Sequence, residues 1–158
     1  MVGRPRRVQR EHGQSLVELA VTFLTLVLLL SAIVDLGRAL YSFIAIRDAA
    51  QEGALYGSIN PPINSGDLQA IIDRVRGSST APVNLQDETA VEVCVLVLDG
   101  AVVCEENTPN EDACEGNTLR VEVTYHFDFI MPMIGSIIGG EIPITATAVS
   151  TILQPVCP

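Results

Sequence analysis

Sixteen consecutive uncharged residues, Leu19 to Val34, follow a single carboxylate at Glu18. With Leu16 and Val17 ahead of Glu18, this is enough apolar length to approach a bilayer span, which needs roughly 20 residues. A helix that is apolar all round must be buried, and in a chain of 158 residues the hydrocarbon of a membrane is the natural place for it. The run therefore constrains everything that follows. One end of the chain is an anchor, and the remainder must fold beside it.

Charge gives the anchor a direction. Four of the nine basic residues (Arg4, Arg6, Arg7, Arg10) precede the run, there is no Lys, and the whole chain carries a formal charge of -10. Positive charge ahead of a span and an acidic body behind it predict a cytoplasmic N-terminus and an exported C-terminal part. An acidic body lacks the clustered Lys and Arg that phosphate binding needs, so nucleic acid is not expected as a partner. A secretory signal peptide would place a small-residue cleavage site after its apolar stretch. Here Val34-Asp35-Leu36-Gly37-Arg38 follows instead, and the candidate cut, after Gly13, lies before it.

No Pro interrupts the chain from Gln14 to Tyr56, and the first Gly beyond Gly13 is Gly37. One continuous helix is predicted, membrane-spanning in its first half and amphipathic in its second. Leu36, Leu40, Phe43 or Ile44, Arg47 and Ala50 or Gln51 fall at successive turns of that second half. Asp35 and Arg38 are spaced to face each other across one turn. The small residues Ala45, Ala49, Ala50, Gly53, Ala54 and Gly57 allow close approach of another element, and Pro61-Pro62 ends the helix. A short helix follows, with Ser65 or Asp67 as cap and Leu68, Ile71, Ile72 and Val75 at helical spacing. The rest reads as strands. Val91 to Leu98, Asp99-Gly100 and Ala101 to Cys104 predict a hairpin. Thr118 to Phe129 alternates with Leu119, Val121, Val123 and Tyr125 on one face, and Ile142 to Leu153 forms the last strand. The class is α+β, a long N-terminal transmembrane and amphipathic helix packed on a small antiparallel sheet. The expected organisation is a leader at 1–13, the helix at 14–57 and an exported domain at 58–158.

Cys94, Cys104, Cys114 and Cys157 all lie behind the span. An even count outside the cytoplasm predicts two disulfides, with three possible pairings. The expected pairing is Cys104 with Cys114, closing an acidic loop, and Cys94 with Cys157. With no Cys-x-x-Cys pair and His126 as the one histidine beyond the leader, no metal centre and no cofactor are expected. The loop acids Glu105, Glu106, Glu111, Asp112 and Glu115 have the oxygen chemistry calcium prefers but no EF-hand spacing, so a solvated loop is expected. Ile134 to Gly140 reads either as an apolar contact patch or as a buried crossover. No nucleophile has a base at a recognisable spacing, so no enzyme is read.

Three blocks together resemble the TadE-like pseudopilins, minor pilins of the tight-adherence branch of type IV filament systems. They are Gly13-Gln14-Ser15-Leu16-Val17-Glu18-Leu19-Ala20; Ile33 to Tyr41 with Ala49 to Gly57; and Val121 to Tyr125 with Met131 to Gly135 and Ile144 to Ala148. Major pilins of that branch carry Glu-Tyr where Glu18-Leu19 stands, and they are far shorter, which favours a minor component. The resemblance implies cleavage between Gly13 and Gln14 by a prepilin peptidase, whose approach a side chain at Gly13 would obstruct. Glu18 then becomes an assembly residue, its carboxylate paired with the new amine of a neighbouring subunit. The resemblance also implies that some of Asp35, Arg38 and Glu52 contact the sheet or a neighbouring subunit. Expected partners are the peptidase, other pilin or pseudopilin subunits and membrane lipid. Expected locations are the bacterial cytoplasmic membrane and, after assembly, an extracellular filament. The competing reading is an uncleaved, single-pass anchored binding module, with an anchored hydrolase behind it.

Overall fold

The computed structural model describes residues 12–98, 109, 113–130 and 139–154. Helix α1 (His12–Ile59) runs unbroken for 48 residues. Helix α2 (Ser65–Gly77) follows the Pro61-Pro62 break. Strands β1 (Val91–Leu98), β2 (Thr118–Asp128) and β3 (Glu141–Thr151) form an antiparallel sheet in the order β1-β2-β3. This is the α+β arrangement expected from the sequence. The proposed Asp99-Gly100 turn and the strand at 101–104 lie outside the described residues; within them, β1 pairs with β2.

Period-two alternation sets which face of the sheet is covered. Val91, Val93 and Val95 of β1, Leu119, Val121, Val123 and Phe127 of β2, and Ala146 of β3 are buried on one face. Leu68, Ile71, Ile72 and Val75 of α2 join them, as their helical spacing predicts. The opposite face carries polar pairs, including Thr124 and Thr145, whose hydroxyls lie 3.1 Å apart. The cap of α2 differs from expectation. The Asn64 side chain, not Ser65 or Asp67, accepts from the backbone N–H groups of Gly66 and Asp67, both at 2.9 Å. An Asn in extended conformation one residue earlier reaches the same orphan donors, and its own position then stays outside the helix.

The second half of α1 turns a different face inward from the one its large residues mark. Leu36 and Leu40 are 61% and 57% exposed, and Ile44 is exposed too. Buried instead are Asp35, Ser42, Ile46, Ala49, Ala50, Ala54 and Ser58. Close approach decided this. A Cβ added at Gly53 would run into Val75 of α2, and one at Gly57 into Leu119 of β2. Only the small-residue face lets the helix backbone come that near the sheet, so the gain from dense packing outweighs burial of the larger side chains.

Strand β2 lies along α1 in the opposite direction. Leu119 sits beside Gly57, and Ile130, just past the other end of β2, meets Asp35. The lengths match. Twenty-two residues of helix span about 33 Å and eleven of extended chain about 36 Å. Leu153 N–H closes the far end by donating to the Ser58 carbonyl at 2.8 Å.

Candidate functional site

The helix N-terminal to Asp35 projects clear of the folded domain. Its apolar stretch has a mean hydropathy of 2.5 over the most apolar eighteen residues, and none of that window is buried within the molecule. By length and composition it can cross a membrane. Residues 13–34 span about 33 Å, close to the roughly 30 Å of a hydrocarbon core. Gly13 and Gln14 lie in the first turns of α1, exposed, and a Cβ at Gly13 would meet nothing within 4 Å. The opening N–H groups of a helix have no intrahelical acceptor, so unwinding this turn costs little. Glu18 is exposed one turn further on, the one ionisable side chain between Gly13 and Val34.

Where the apolar run ends, a polar latch begins. The Asp35 carboxylate is almost fully buried and accepts the Ile130 backbone N–H at 3.2 Å. It also receives Arg38 Nη1 at 3.4 Å, the turn-spaced pair that the sequence predicts. The same Arg38 nitrogen makes a long contact, 3.5 Å, to the Asp128 carbonyl, and its guanidinium lies 5.2 Å from the centroid of the Phe127 ring. Phe127 packs edge-on against Tyr125 and Phe129. Two charges adjacent on the helix thus tie down the end of β2 where α1 leaves the domain. A buried carboxylate needs such donors to offset its lost hydration. Glu52 is engaged elsewhere, accepting Arg74 Nε of α2 at 2.8 Å.

Sequence reasoning named Asp35, Arg38 and Glu52 but not their partners. Phe127 was within reach, because period two extends the face of Leu119 to Tyr125 by one more step. The Ile130 N–H and Arg74 carry no sequence signal. Cys94, on the sheet face turned away from α1, and Cys114 are disulfide-bonded. Cys104 and Cys157 lie outside the described residues, as do Glu105, Glu106, Glu111 and Asp112; Glu115 is exposed in the turn before Gly116. Among the described residues no group of three or more His, Cys, Asp or Glu side chains is gathered to hold a metal. His126 Nδ1 stands 3.9 Å from a Glu141 carboxylate oxygen, both partly exposed.

An apolar N-terminal helix continued without a break into a small α+β domain is the architecture of pilin-like proteins. Residues 13–55 match the family model described as TadE-like protein. The match begins at the glycine of the candidate cut, covers the span and the latch residues of α1, and stops before α2. The TadE-like family is one of structural proteins associated with the Tad pilus. No curated protein and no solved structure matches the chain.

Proposed function

We propose that this chain is a pseudopilin, made as a precursor, inserted with its N-terminus in the cytoplasm, cut after Gly13 by a prepilin peptidase and assembled into a Tad-like filament or its initiating complex. One observation carries the reading. The TadE-like segment starts at Gly13, and from there a single helix bears one carboxylate, an uncharged membrane-length run and a docked domain. Cleavage would place a positive amine on Gln14 near Glu18. Within a bundle of such helices, amine and carboxylate of neighbouring subunits neutralise each other. Ion pairs of this kind serve register better than stability.

Glu18 has little purpose in a mere anchor, since a charge at a helix centre costs roughly 2.5–3.5 kcal/mol on insertion scales and one nearer the end, as here, still costs more than an uncharged residue. The test is co-expression with a cognate prepilin peptidase, followed by N-terminal sequencing of membrane extracts and of sheared filaments. Gln14 should be the mature terminus, and Gly13→Leu should retain the leader. Glu18→Ala should insert and be cut normally yet be missing from filaments. An intact leader in the presence of active peptidase would favour the uncleaved anchored module, and normal incorporation of Glu18→Ala would remove the amine–carboxylate pairing.

A further inference from the structure

One edge of the sheet is open. Strand β3 pairs with β2 on one side only. Just past its end, Ile152 donates to the Asn117 carbonyl and accepts from the Gly116 N–H, both at 2.9 Å. Ladder bonds of an antiparallel pair recur at every second residue. The even-numbered residues of β3 therefore bond to β2, and the odd-numbered ones turn their N–H and C=O groups outward. On that side Thr145, Thr147, Val149 and Thr151 have no backbone partner among the described residues. Edges of this length are usually blunted by charge, proline or a bulge. Here Pro143 stands at the start, and from Ile142 to Leu153 there is no charge. The run is rich in Thr and Val, which suit a pleated surface. On the helix-facing side Ile144 and Ala148 are only partly buried, whereas Val121 and Val123 of β2 are fully buried.

The flank of α1 beside this edge carries an unmatched charge. Leu153, beyond the end of β3, donates to the Ser58 carbonyl. Leu40, Arg47 and Gln51 share the Ser58 face of α1, at i, i+7, i+11 and i+18, and all three are exposed. Arg47 lies about 17 Å of helix rise before Ser58, and about five strand residues back from Leu153 reach the same level, at Ala148. Arg38, Arg74, Arg76 and Arg120 each reach a carboxylate, while Arg47 reaches none among the described residues. We propose that the β3 edge takes an extended segment of another chain as a further strand, its helix-facing side chains apolar except for one carboxylate that meets Arg47. A second copy of this chain does not fit. Strand β3 runs in the direction of α1, because β2 runs against both. Identical edges meeting about a two-fold axis pair antiparallel, which would point the two α1 helices in opposite directions. Copies anchored alike in one membrane exclude that, so this step rests on α1 spanning the bilayer. Strand β1 of a second copy is not available either, since Val93 and Val95 already have partners.

The probes are fluorescent synthetic peptides as long as the edge, alternating Thr and Val, with Glu or Lys at a central helix-facing position. A further Glu peptide is N-methylated on the amides that would meet β3. Each is titrated into the detergent-solubilised full chain, and the amides of Thr145, Thr147, Val149 and Thr151 are followed by hydrogen exchange. The Glu peptide should bind and protect those amides, the Lys peptide should bind more weakly, and N-methylation should abolish binding. Proline is tolerated on an edge strand where its N–H would face outward. Thr147→Pro should therefore keep the thermal midpoint and weaken binding by roughly tenfold or more. If its midpoint falls instead, the N-methylated peptide decides the same point on the unaltered chain. Arg47→Glu should reverse the preference to the Lys peptide. No protection by the Glu peptide, or binding that survives N-methylation, overturns the added strand. Equal binding of the Glu and Lys peptides overturns the carboxylate at Arg47. Protection that appears without peptide and grows with protein concentration would assign the edge to a second copy, also against the proposal. None of these outcomes bears on cleavage after Gly13, which N-terminal sequencing reads separately.

Discussion

Two glycines in α1 with opposite surroundings isolate what the small residues contribute. Replacing a helical glycine by alanine gains about 1 kcal/mol of helix propensity. At Gly37 an added Cβ meets nothing, so Gly37→Ala should raise the thermal midpoint of the detergent-solubilised protein. At Gly53 the Cβ would strike Val75, a fully buried and β-branched neighbour with one preferred rotamer. Overpacking there costs about 1–3 kcal/mol, so Gly53→Ala should lower the midpoint despite the same propensity gain. Midpoints moving in the same direction would show that close approach does not select this face. A second residue-scale effect is electrostatic. Asp87 accepts from the Thr89 hydroxyl at 2.6 Å and from the Thr89 N–H at 3.0 Å, just before β1. The hydroxyl bond foremost, then the backbone bond, holds its carboxyl below the usual aspartate value. The ionised form is the one stabilised in the fold. Its contribution is therefore present above the unfolded pKa and is lost as pH falls through the depressed folded value. Thr89→Val should move the Asp87 titration upward, read by carboxyl carbon NMR, while an unmoved titration would rule out the hydroxyl as the main cause.

At the scale of elements, α2 depends on its cap and α1 on its neighbours. Asn64→Ala leaves the Gly66 and Asp67 N–H groups without their side-chain acceptor and should cost about 0.5–2 kcal/mol, measured by denaturant unfolding. Ser65→Ala should be close to neutral by the same assay, which distinguishes the observed cap from the one the sequence suggested. Most elements were legible because their signals are local. Continuous apolarity marked the span, period 3.6 marked Leu68 to Val75, and period two marked β2. The inward face of α1 was not legible from its large residues, because hydrophobic size is the wrong measure where two backbones must approach closely. The Asp35–Ile130 bond was not legible either. Its donor is a backbone group 95 positions away, and backbone groups carry no residue identity.

For the whole molecule, the disulfides decide how firmly the far parts of the chain are held. Cys94 and Cys114 are bonded in the structure. The expected linkage is Cys104–Cys114 with Cys94–Cys157, to be read by non-reducing peptide mapping; a Cys94–Cys104 linkage would overturn it. Closure of a loop the size of Cys104 to Cys114 is worth roughly 3 kcal/mol by the chain-entropy model, so reduction, which opens both bridges, should lower stability by more than that amount. The sequence by itself determined that this chain has a membrane-length helix, that the helix runs on past it, and that an α2-like segment and alternating strands follow. Each rests on the chemistry of neighbours within a turn or two. Tertiary structure alone decided which face of α1 the sheet takes, where β2 is latched to it, and that the latch sits at the level where the uncharged run ends. Those outcomes depend on packing and on hydrogen-bond donors brought together from distant parts of the chain, and no local pattern encodes them.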